Sequence, residues 1–436
     1  MRQTRPDELI KQLSDARERT CALIDHLSDE QLMGPRLPIV NPLRWEIGHT
    51  AYFYEYWILR YHYQEPPLIC GVDELFDSIH IAHETRWDLK LPSLDDTINY
   101  MKHVKERVVH HLSNGQQDDK RDYLTQYAIF HEDMHCEAFT YTRQTLKYPV
   151  PKIVDSDNIM DISESIKGDA EIPEGRFLLG ALRDMGEFVF DNEKWSHSQY
   201  IIPFRISRTA VSNKEYAEFV NSGGYQCREY WCESGWSWLS QKKIKHPIYW
   251  RFNQDANCWQ IRLFDQWLVL NPEAAVMNVN WYEASAYCRW ANRRLPTELE
   301  WEVAAAGVPA SDGLSILREK RLYPWGNFEP SKELANFNGE TLGAIDVNAK
   351  VAGDSAFGCR QMLGNVWEWT SSVFSPYPEF TPDMYQDYSL PLFGKTRVLR
   401  GGCWATRARL MRNTWRNYYG PERNDIFAGF RTCAID

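Results

Sequence analysis

The chain has 436 residues, which is too long for a typical single domain and predicts two or three domains. Its formal net charge of −11 argues against nucleic acid as a partner, because nucleic-acid binding needs a basic face. The sequence contains no run of about 18 apolar residues, so no membrane span is expected. Its opening segment is charged and lacks the apolar core of a signal peptide, which predicts a cytoplasmic protein. The 10 scattered cysteines include no CxxC pair and are expected to be free thiols.

The N-terminal part of the chain repeats apolar residues at the spacing of an α-helix, with polar residues on the opposite face. Four segments show this pattern: residues 7–27, 42–63, 94–112 and 121–146. They predict a four-helix bundle over residues 1–148, and the core of such a bundle can hold a metal site built from facing helices. Residues 149–170 are polar, are interrupted by prolines and have little periodicity, so we expect a linker there.

The sequence pattern changes from residue 171 to residue 436. Short apolar runs are separated by Gly, Pro and Asn, and only residues 281–294 and 297–307 predict long amphipathic helices. This pattern indicates a loop-rich α+β domain, so the whole chain is predicted to be an α+β multidomain protein. Most of the 18 tryptophans are expected in the cores of its domains.

The segment FHEDMHCEAF, residues 130–139, places two histidines four residues apart on a predicted helix. His131 and His135 then lie about 40° apart around the helix axis, so both imidazoles can reach one ion. His49 lies on an earlier predicted helix whose aromatic face should turn inward. Three neutral imidazoles suit Fe(II), Zn(II), Cu or Ni, and three protein ligands leave positions open for water, substrate or dioxygen. The alternative is a solvated helix face paired with acids, because HxxxH alone is a weak motif.

The residues around these histidines have their own expected positions. Glu132 and Asp133 point away from the metal-facing stripe and are expected on the surface. Glu137 is a candidate for orienting a metal ligand from outside the coordination shell. Three further histidines lie in a charged helix and are expected to be exposed: His103, His110 and His111.

The second half of the chain resembles the formylglycine-generating-enzyme-like fold, a variant of the C-type lectin fold. The stretches that carry the resemblance occur in the expected order and are IPEGRFLLG (172–180), ISRTAVSNKEYAEFV (206–220), VNWYEASAYCRWANRRLPTELEWEVAAAG (279–307), YPWGN (323–327), GNVWEWTSS (364–372), VLRGGCWATRARL (398–410) and AGFRTCA (428–434). They span nearly all of residues 171–436. The resemblance implies that this half folds as one such domain and supplies the walls of a substrate pocket.

The combination of this fold with a DinB-like bundle carrying GHT (48–50) and HEDMHCE (131–137) resembles the ergothioneine- and selenoneine-type non-heme iron synthases. Members of this superfamily use Fe(II) and O2 to join a sulfur or selenium donor to the imidazole carbon C2 of hercynine (trimethylhistidine). The resemblance implies that His49, His131 and His135 are iron ligands and that hercynine, the chalcogen donor and O2 are the small-molecule partners. It also implies an active site where the two domains meet. We expect a monomer or a small homo-oligomer.

Formylglycine generation is an alternative use of the same fold. In the generating enzymes, cysteines that follow the GG motif carry the chemistry. Here Cys403 comes directly after Gly402, and no further cysteine occurs until Cys433, which argues against formylglycine chemistry. A DinB-like metal-dependent thiol transferase and a non-catalytic binding protein are further alternatives, and neither would consume O2 in the presence of hercynine.

The loop after EWT faces the iron in the sulfoxide synthases, and here it reads SSVFSPYPEF. Phe374 stands where the mycobacterial-type enzymes carry a tyrosine assigned as a proton or electron donor. Tyr377 matches a second tyrosine of that loop and is the candidate catalytic residue. A phenylalanine cannot donate a proton. Either another group replaces the missing tyrosine or the chemistry differs.

The segment RNTWRNYYGPERNDIFAGF (412–430) is expected to form the floor of the substrate site. By the resemblance, Asn417 matches an asparagine that binds hercynine, and Tyr418 stands where an aromatic ring faces the trimethylammonium group by cation–π attraction. Tyr419 occupies the place of an acidic residue that binds the amino group of γ-glutamylcysteine. On another wall Arg86 is kept, but His83 stands where a second carboxylate-binding arginine is expected.

These departures bear on the chalcogen donor. A γ-glutamyl donor carries two carboxylates and needs a paired arginine clamp, of which half is lost here. Tyr and His side chains suit a neutral, hydroxyl-rich donor, and the run over residues 393–434 resembles the selenoneine branch more than the ergothioneine branch. We therefore expect C–Se bond formation with a selenosugar in selenoneine biosynthesis. The alternative is a hercynine sulfoxide synthase of ergothioneine biosynthesis that uses cysteine or another thiol.

Overall fold

The computed structural model describes residues 5–116, 118–153, 165–184, 186 and 188–435. The chain divides into a first unit, Met1–Ile153 with Gly186–Phe188, and a second unit, Val154–Met185 with Val189–Asp436. Residues 154–164, half of the predicted linker, lie outside the described residues. A strand that begins at Asp169 already occupies the end of the segment predicted as a linker.

The first unit consists of helices. They are α1 (Pro6–Ile24), α2 (Asp29–Met33), α3 (Leu43–Tyr54), α4 (Val72–Phe76), α5 (Leu94–Asn114) and α6 (Asp119–Thr145). Helix α3 continues as a π-helix over Glu55–His62, and a 3-10 helix spans His83–Asp88. Helices α1 and α3 each pack against α5 and α6. The predicted four-helix bundle is confirmed.

Helix α5 shows how the apolar spacing produces the bundle. The hydroxyl of Ser93, just before the helix, accepts a hydrogen bond from the backbone N–H of Asp96 and so satisfies a donor of the first turn. The buried residues of α5 recur at intervals of three and four: Thr97, Tyr100, Met101, Val104, Val108 and Leu112. They form the single apolar stripe that a helix needs to pack against its neighbours.

The second unit combines short strands with helices. Its strands are β1 (Asp169–Ile172), β2 (Gly175–Leu179), β3 (His197–Ile201), β4 (Phe204–Ser207), β5 (Trp250–Asn253), β6 (Cys258–Leu263), β7 (Gln266–Val269), β8 (Arg293–Arg294), β9 (Gly307–Pro309), β10 (Ile316–Lys320), β11 (Trp367–Val373), β12 (Arg397–Arg400), β13 (Asn417–Tyr419), β14 (Ala428–Gly429) and β15 (Cys433–Ala434). Its α-helices are α7 (Asn213–Asn221), α8 (Glu233–Lys242), α9 (Trp281–Trp290) and α10 (Glu298–Ala306). Short 3-10 helices occur at Asp191–Glu193, Arg228–Tyr230, Val351–Gly353, Gln386–Tyr388, Leu390–Leu392 and Ala408–Leu410.

The two largest sheets among the described residues have the strand orders β1-β4-β15-β8 and β13-β12-β11-β14. In the latter, β11 pairs antiparallel with β12 and parallel with β14. Strand β13 pairs antiparallel with β12, with Tyr418 opposite Val398 and Asn417 opposite Leu399. Strand β13 is therefore an edge strand, and it carries three of the residues predicted to bind substrate. The remaining strands form the sheets β2-β3, β5-β6-β7 and β9-β10.

Both helices predicted in this unit are confirmed, and each begins at a capping box. Asn280 and Glu283 satisfy each other's backbone N–H groups at the start of α9, and Thr297 and Glu300 do so at the start of α10. Helices α7 and α8 are additional. The expectation that most of the 18 tryptophans lie in the cores holds for half of them. The nine buried tryptophans are Trp45, Trp57, Trp231, Trp250, Trp301, Trp367, Trp369, Trp404 and Trp415.

All ten cysteines are free, as predicted. Among the described helices, none combines the length and the apolar character that crossing a bilayer requires.

Candidate metal centre

The three histidines singled out by the sequence come together in the first unit. His49 lies on α3, and His131 and His135 lie one turn apart on α6. One nitrogen of each imidazole lies within 4.8 Å of the corresponding nitrogens of the other two. The Nε2 atoms of His131 and His135 are 3.2 Å apart. The geometry thus favours the metal hypothesis over a solvated helix face.

A glycine next to His49 lets another helix reach this candidate ligand. A Cβ atom at Gly48 would lie 2.2 Å from the ring of Phe76, so a larger residue would push the end of α4 away. With glycine in place, the backbone carbonyl of Phe76 lies 2.9 Å from Nδ1 of His49 and accepts its hydrogen bond. Nε2 of His49 is then the nitrogen whose lone pair is available to a metal.

The other two imidazoles are also oriented by their neighbours. Nδ1 of His135 lies 2.6 Å from Oε1 of Glu46, which leaves Nε2 of His135 as its metal-facing nitrogen. The ring of His131 stacks on Phe53, with ring centroids 3.9 Å apart. The ring of His49 stacks in turn on Trp45, with centroids 4.9 Å apart and planes inclined by 7°. All three rings are therefore held before a metal binds.

The electrostatics of the cluster suit a cation. His49 is 4% exposed and His131 is 5% exposed. Burial lowers the pKa of both imidazoles well below their ordinary value, and the nearby His135 lowers it further. Both rings are neutral at neutral pH, and a neutral imidazole is the form that binds metals. Together with the imidazole of His135, these two rings offer three nitrogens, a set that fits a divalent transition metal, Fe(II) included.

Other histidines of the first unit do not join the cluster. His103 and His110 are exposed, as predicted. His111 was expected to be exposed as well, which is wrong. It is half-buried, its Nε2 lies 2.6 Å from Oε1 of Glu65, and its ring stacks on Tyr63.

The prediction that Glu132 and Asp133 lie on the surface is wrong. They are 0% and 1% exposed, and for Glu132 the cover comes from α1, which packs against α6. The hydroxyl of Thr20 on α1 donates to Oε1 of Glu132 over 2.7 Å, and Nε of Arg17 lies 3.4 Å from the same oxygen. Polar partners on α1 thus allow a carboxylate inside the bundle. Glu137 is also buried, and its orienting role stays a prediction.

Glu46 is a carboxylate that contacts a candidate ligand, and the sequence reasoning missed it. Glu46 precedes His49 by three residues, so both lie on the same face of α3. The three-residue spacing between Glu46 and His49 could have identified Glu46 from the sequence. A carboxylate on the same helix face as His49 can also reach an imidazole of the facing helix, here that of His135.

Arg86 and His83 lie in the 3-10 helix that follows α4. The Arg86 guanidinium lies 3.9 Å above the centre of the Trp45 ring, and its Nη1 donates to Oδ1 of Asn41 over 2.7 Å. The Trp45 ring also stacks on His49, so the Trp45 indole contacts both Arg86 and the histidine cluster. Nε2 of His83 lies 2.7 Å from the backbone carbonyl of Val40.

In the second unit, Tyr377 is buried within a network of charges. Its hydroxyl lies 3.4 Å from Oε1 of Glu298, and the Arg416 guanidinium lies 4.1 Å above its ring. Burial raises the pKa of Tyr377 well above its ordinary value, so its hydroxyl stays protonated. Phe374 is 0% exposed and stacks on Tyr418 with ring centroids 4.0 Å apart.

The remaining predicted substrate residues lie on strand β13. Oδ1 of Asn417 accepts a hydrogen bond from the backbone N–H of Tyr418 over 2.8 Å. The Tyr418 hydroxyl donates to the backbone carbonyl of Tyr388. The Tyr419 ring lies 5.0 Å from the Arg423 guanidinium. The structure thus brings Phe374 and Asn417 into contact with Tyr418, while the ring of Tyr419 lies near Arg423.

The fold and the site define a two-domain protein, in which a DinB-type bundle with a three-histidine cluster precedes a formylglycine-generating-enzyme-type domain. Residues 12–139 match the DinB superfamily, and residues 159–435 match the family described as the sulfatase-modifying factor enzyme 1-like domain. The chain belongs to the hercynine oxygenase family, as its full-length relatives show. It is 35% identical over 97% of its length to the hercynine oxygenase of Mycolicibacterium thermoresistibile, of which it covers 94%.

Two further relatives mark the extent of the similarity. The chain is 34% identical over 98% of its length to the hercynine oxygenase of Mycolicibacterium smegmatis, and it covers 98% of that protein. The formylglycine-generating enzyme of Thermomonospora curvata is 31% identical over 63% of the chain, with 95% of that enzyme covered. The resemblance to the latter is thus confined to part of the chain, whereas the hercynine oxygenases match both domains.

Proposed function

We propose that this protein is an Fe(II)- and O2-dependent oxidoreductase that joins a chalcogen donor to the imidazole C2 of hercynine. The observation that carries the proposal is the convergence of His49, His131 and His135 to within 4.8 Å, in a chain of the hercynine oxygenase family. Three protein ligands leave coordination positions open for reactants. Bound Fe(II) supplies the redox chemistry that O2 activation requires.

The residues of the chain orient the reactants and the ligands. Trp45, Phe53 and the Phe76 carbonyl hold the imidazoles in place, which reduces the reorganisation needed when reactants bind. Arg86, fixed on Trp45 and by Asn41, offers one cation to a carboxylate of a reactant. Tyr377 keeps its hydroxyl proton and is our candidate proton donor, because Phe374 has no proton to give.

We further infer that the chalcogen donor is a neutral, hydroxyl-rich molecule, with a selenosugar as the first choice and C–Se bond formation as the reaction. Two features support this choice. His83, at the place of a second arginine, bonds to the Val40 carbonyl and cannot form a bidentate carboxylate clamp. Tyr419 supplies a phenol where a γ-glutamyl amino group would need an acid. Sulfoxide formation with cysteine or another thiol is the alternative.

Mass spectrometry of the products tests both proposals. Enzyme loaded anaerobically with Fe(II) is mixed with hercynine and air in parallel reactions that contain a selenosugar, cysteine or γ-glutamylcysteine under reducing conditions. A hercynyl selenium adduct formed in preference to sulfur adducts is the expected result. A preferred sulfur adduct would overturn the selenium assignment and leave the hercynine reaction in place. No adduct with any donor, in enzyme confirmed to hold iron, would overturn the hercynine reaction and favour a thiol transferase or a binding protein.

A further inference from the structure

Glu46 is a buried carboxylate in direct contact with one candidate metal ligand. It lies in the first turn of α3 and is 1% exposed. Its Oε1 is 2.6 Å from Nδ1 of His135 on α6, which is a hydrogen bond between two helices of the bundle. Its second oxygen, Oε2, is buried and has no hydrogen-bond partner within the part of the chain that the structure describes. A buried carboxylate with one open oxygen is costly unless a positive charge lies nearby.

The three imidazoles differ in what holds them. The Nδ1–H of His49 donates to a neutral backbone carbonyl, that of Phe76, whereas the Nδ1–H of His135 donates to a carboxylate. A carboxylate acceptor pulls the Nδ1 proton more strongly than a carbonyl and makes Nε2 of the same ring a stronger electron-pair donor. His135 is thus set apart from His49 by its partner.

We propose that Glu46 is a positioning residue for the metal centre: it fixes the tautomer and orientation of His135, strengthens Nε2 of that ring as a ligand, and supplies a negative charge that favours the bound cation. The inference rests on the metal site of the proposed function but not on its substrates. Three neutral imidazoles bring no charge of their own, so a carboxylate bonded to one of them offsets part of the charge of a divalent ion among buried side chains.

A purely structural role is the competing explanation. Acidic residues in the first turn of a helix are favoured by the helix dipole, whatever they contact. Glu55 provides a matched comparison, because it is 0% exposed, continues the same helical run and accepts hydrogen bonds from Leu68 N–H and the Tyr100 hydroxyl. Its partners are not members of the histidine cluster.

The experiment compares metal binding in the full-length wild type, Glu46→Gln, Glu46→Ala and the control Glu55→Gln. Each apoprotein is titrated anaerobically with Co(II), followed by its visible absorption, and Fe(II) affinity is measured by competition with a chelator. Glu46→Gln is expected to weaken binding about 10-fold and Glu46→Ala up to about 100-fold. Glu55→Gln should bind Co(II) within about twofold of wild type, even if it lowers thermal stability.

The Fe(III)/Fe(II) midpoint potential gives a second readout. Loss of the negative charge should raise the potential in Glu46→Gln, because Fe(III) loses more stabilisation than Fe(II). Circular dichroism checks that each variant folds. If Glu46→Ala does not fold, the nearly isosteric Glu46→Gln alone tests whether Glu46 supports the metal centre. Wild-type affinity and potential in Glu46→Gln would overturn the proposal. Failure of hercynine turnover in metal-loaded wild type would count against the proposed function alone.

Discussion

The imidazole of His131 and the phenyl ring of Phe53 lie nearly parallel, with centroids 3.9 Å apart and planes inclined by 12°. Phe53 is 3% exposed and lies on α3, four residues after His49. Helix α3 therefore supplies one candidate ligand, His49, and also the aromatic ring that stacks on a candidate ligand of the facing helix, His131. The stack covers one face of His131, and Nε2 on the edge of that ring lies 3.2 Å from Nε2 of His135.

Substitution of Phe53 by leucine tests this arrangement. Phe53→Leu keeps an apolar side chain but removes the ring, so we expect a loss of about 1 kcal/mol in the free energy of unfolding and a severalfold loss of Co(II) affinity. Phe130→Leu is the matched control, since Phe130 precedes His131 but packs edge-to-face on Phe188. Urea denaturation and Co(II) titration measure the two effects. Equal losses of metal affinity in both variants would contradict the role given to the stack.

Metal binding should stabilise the first unit through its three histidines. A ligand that binds only the folded state adds about 4 kcal/mol when its free concentration is 1,000 times Kd. We expect Co(II) or Fe(II) to raise the melting temperature of wild type and expect a chelator to reverse the rise. His49→Ala should abolish the metal-dependent shift, whereas His103→Ala, at an exposed position, should keep it. Melting is followed by circular dichroism. A metal-dependent rise in the melting temperature of His49→Ala equal to that of wild type would exclude His49 as a ligand.

The buried ion pairs of the second unit are expected to stabilise it only as complete networks. Glu298 is 5% exposed and accepts from Arg400 Nη1 over 2.8 Å and from Arg416 Nε over 2.6 Å. Glu298→Ala leaves two buried guanidinium groups short of a partner and should cost about 3–5 kcal/mol. Asp88→Asn, which removes an exposed pair with Arg36, should cost about 0–1 kcal/mol. Urea denaturation followed by tryptophan fluorescence measures both, and a similar small loss in both variants would contradict the prediction.

The bundle and the histidine cluster could be predicted because their determinants are local. Apolar residues at helical spacing fix which face of a helix is buried, and the four-residue interval between His131 and His135 places both rings on one side. His49 could be added as the third candidate ligand because it lies on a helix whose aromatic face was expected to turn inward. His49 can meet His131 and His135 only if α3 packs against α6. Helices of a bundle pack side by side, and α3 and α6 do so here.

The burial of charged residues could not be predicted, because it depends on partners far away in the chain. Glu132 is buried against Thr20, 112 residues away in the sequence. The network around Tyr377 includes Glu298, Arg400 and Arg416, which lie on different elements. No short sequence window contains such pairs, and a charged residue without a visible partner is expected on the surface.

A buried carboxyl group gives the second unit a pH-dependent stability. Glu283 is 0% exposed and accepts hydrogen bonds from the Tyr225 hydroxyl and the Asn280 N–H. Burial raises its pKa from 4.5 to about 7. Between these values the folded chain binds a proton that the unfolded chain releases, so the free energy of unfolding falls as pH rises across this window. The total change for this one group is at most about 3 kcal/mol.

Glu283→Gln should remove this contribution while keeping a side-chain acceptor. The stability of the variant relative to wild type is expected to improve as pH rises from 5 to about 7 and to level off by pH 8, as measured by urea denaturation at each pH. Glu215→Gln is the control, because Glu215 forms the equivalent capping box of α7 at an exposed position. A constant difference between Glu283→Gln and wild type over this pH range would contradict the assignment.

The choice of chalcogen donor should change when the missing arginine is restored. His83→Arg would place a second guanidinium in the same 3-10 helix as Arg86. One added charge-assisted hydrogen bond to a donor carboxylate contributes about 1.5–3 kcal/mol, which corresponds to roughly a 10-fold or greater gain for γ-glutamylcysteine over a neutral donor. In a reaction that contains both γ-glutamylcysteine and a selenosugar, we expect the ratio of sulfur to selenium adducts to rise by that factor, as measured by mass spectrometry. Thr85→Arg adds the same charge at an exposed neighbouring position and should leave the ratio unchanged. An equal rise in both variants would indicate a general charge effect, and no rise in His83→Arg would show that position 83 does not face the donor.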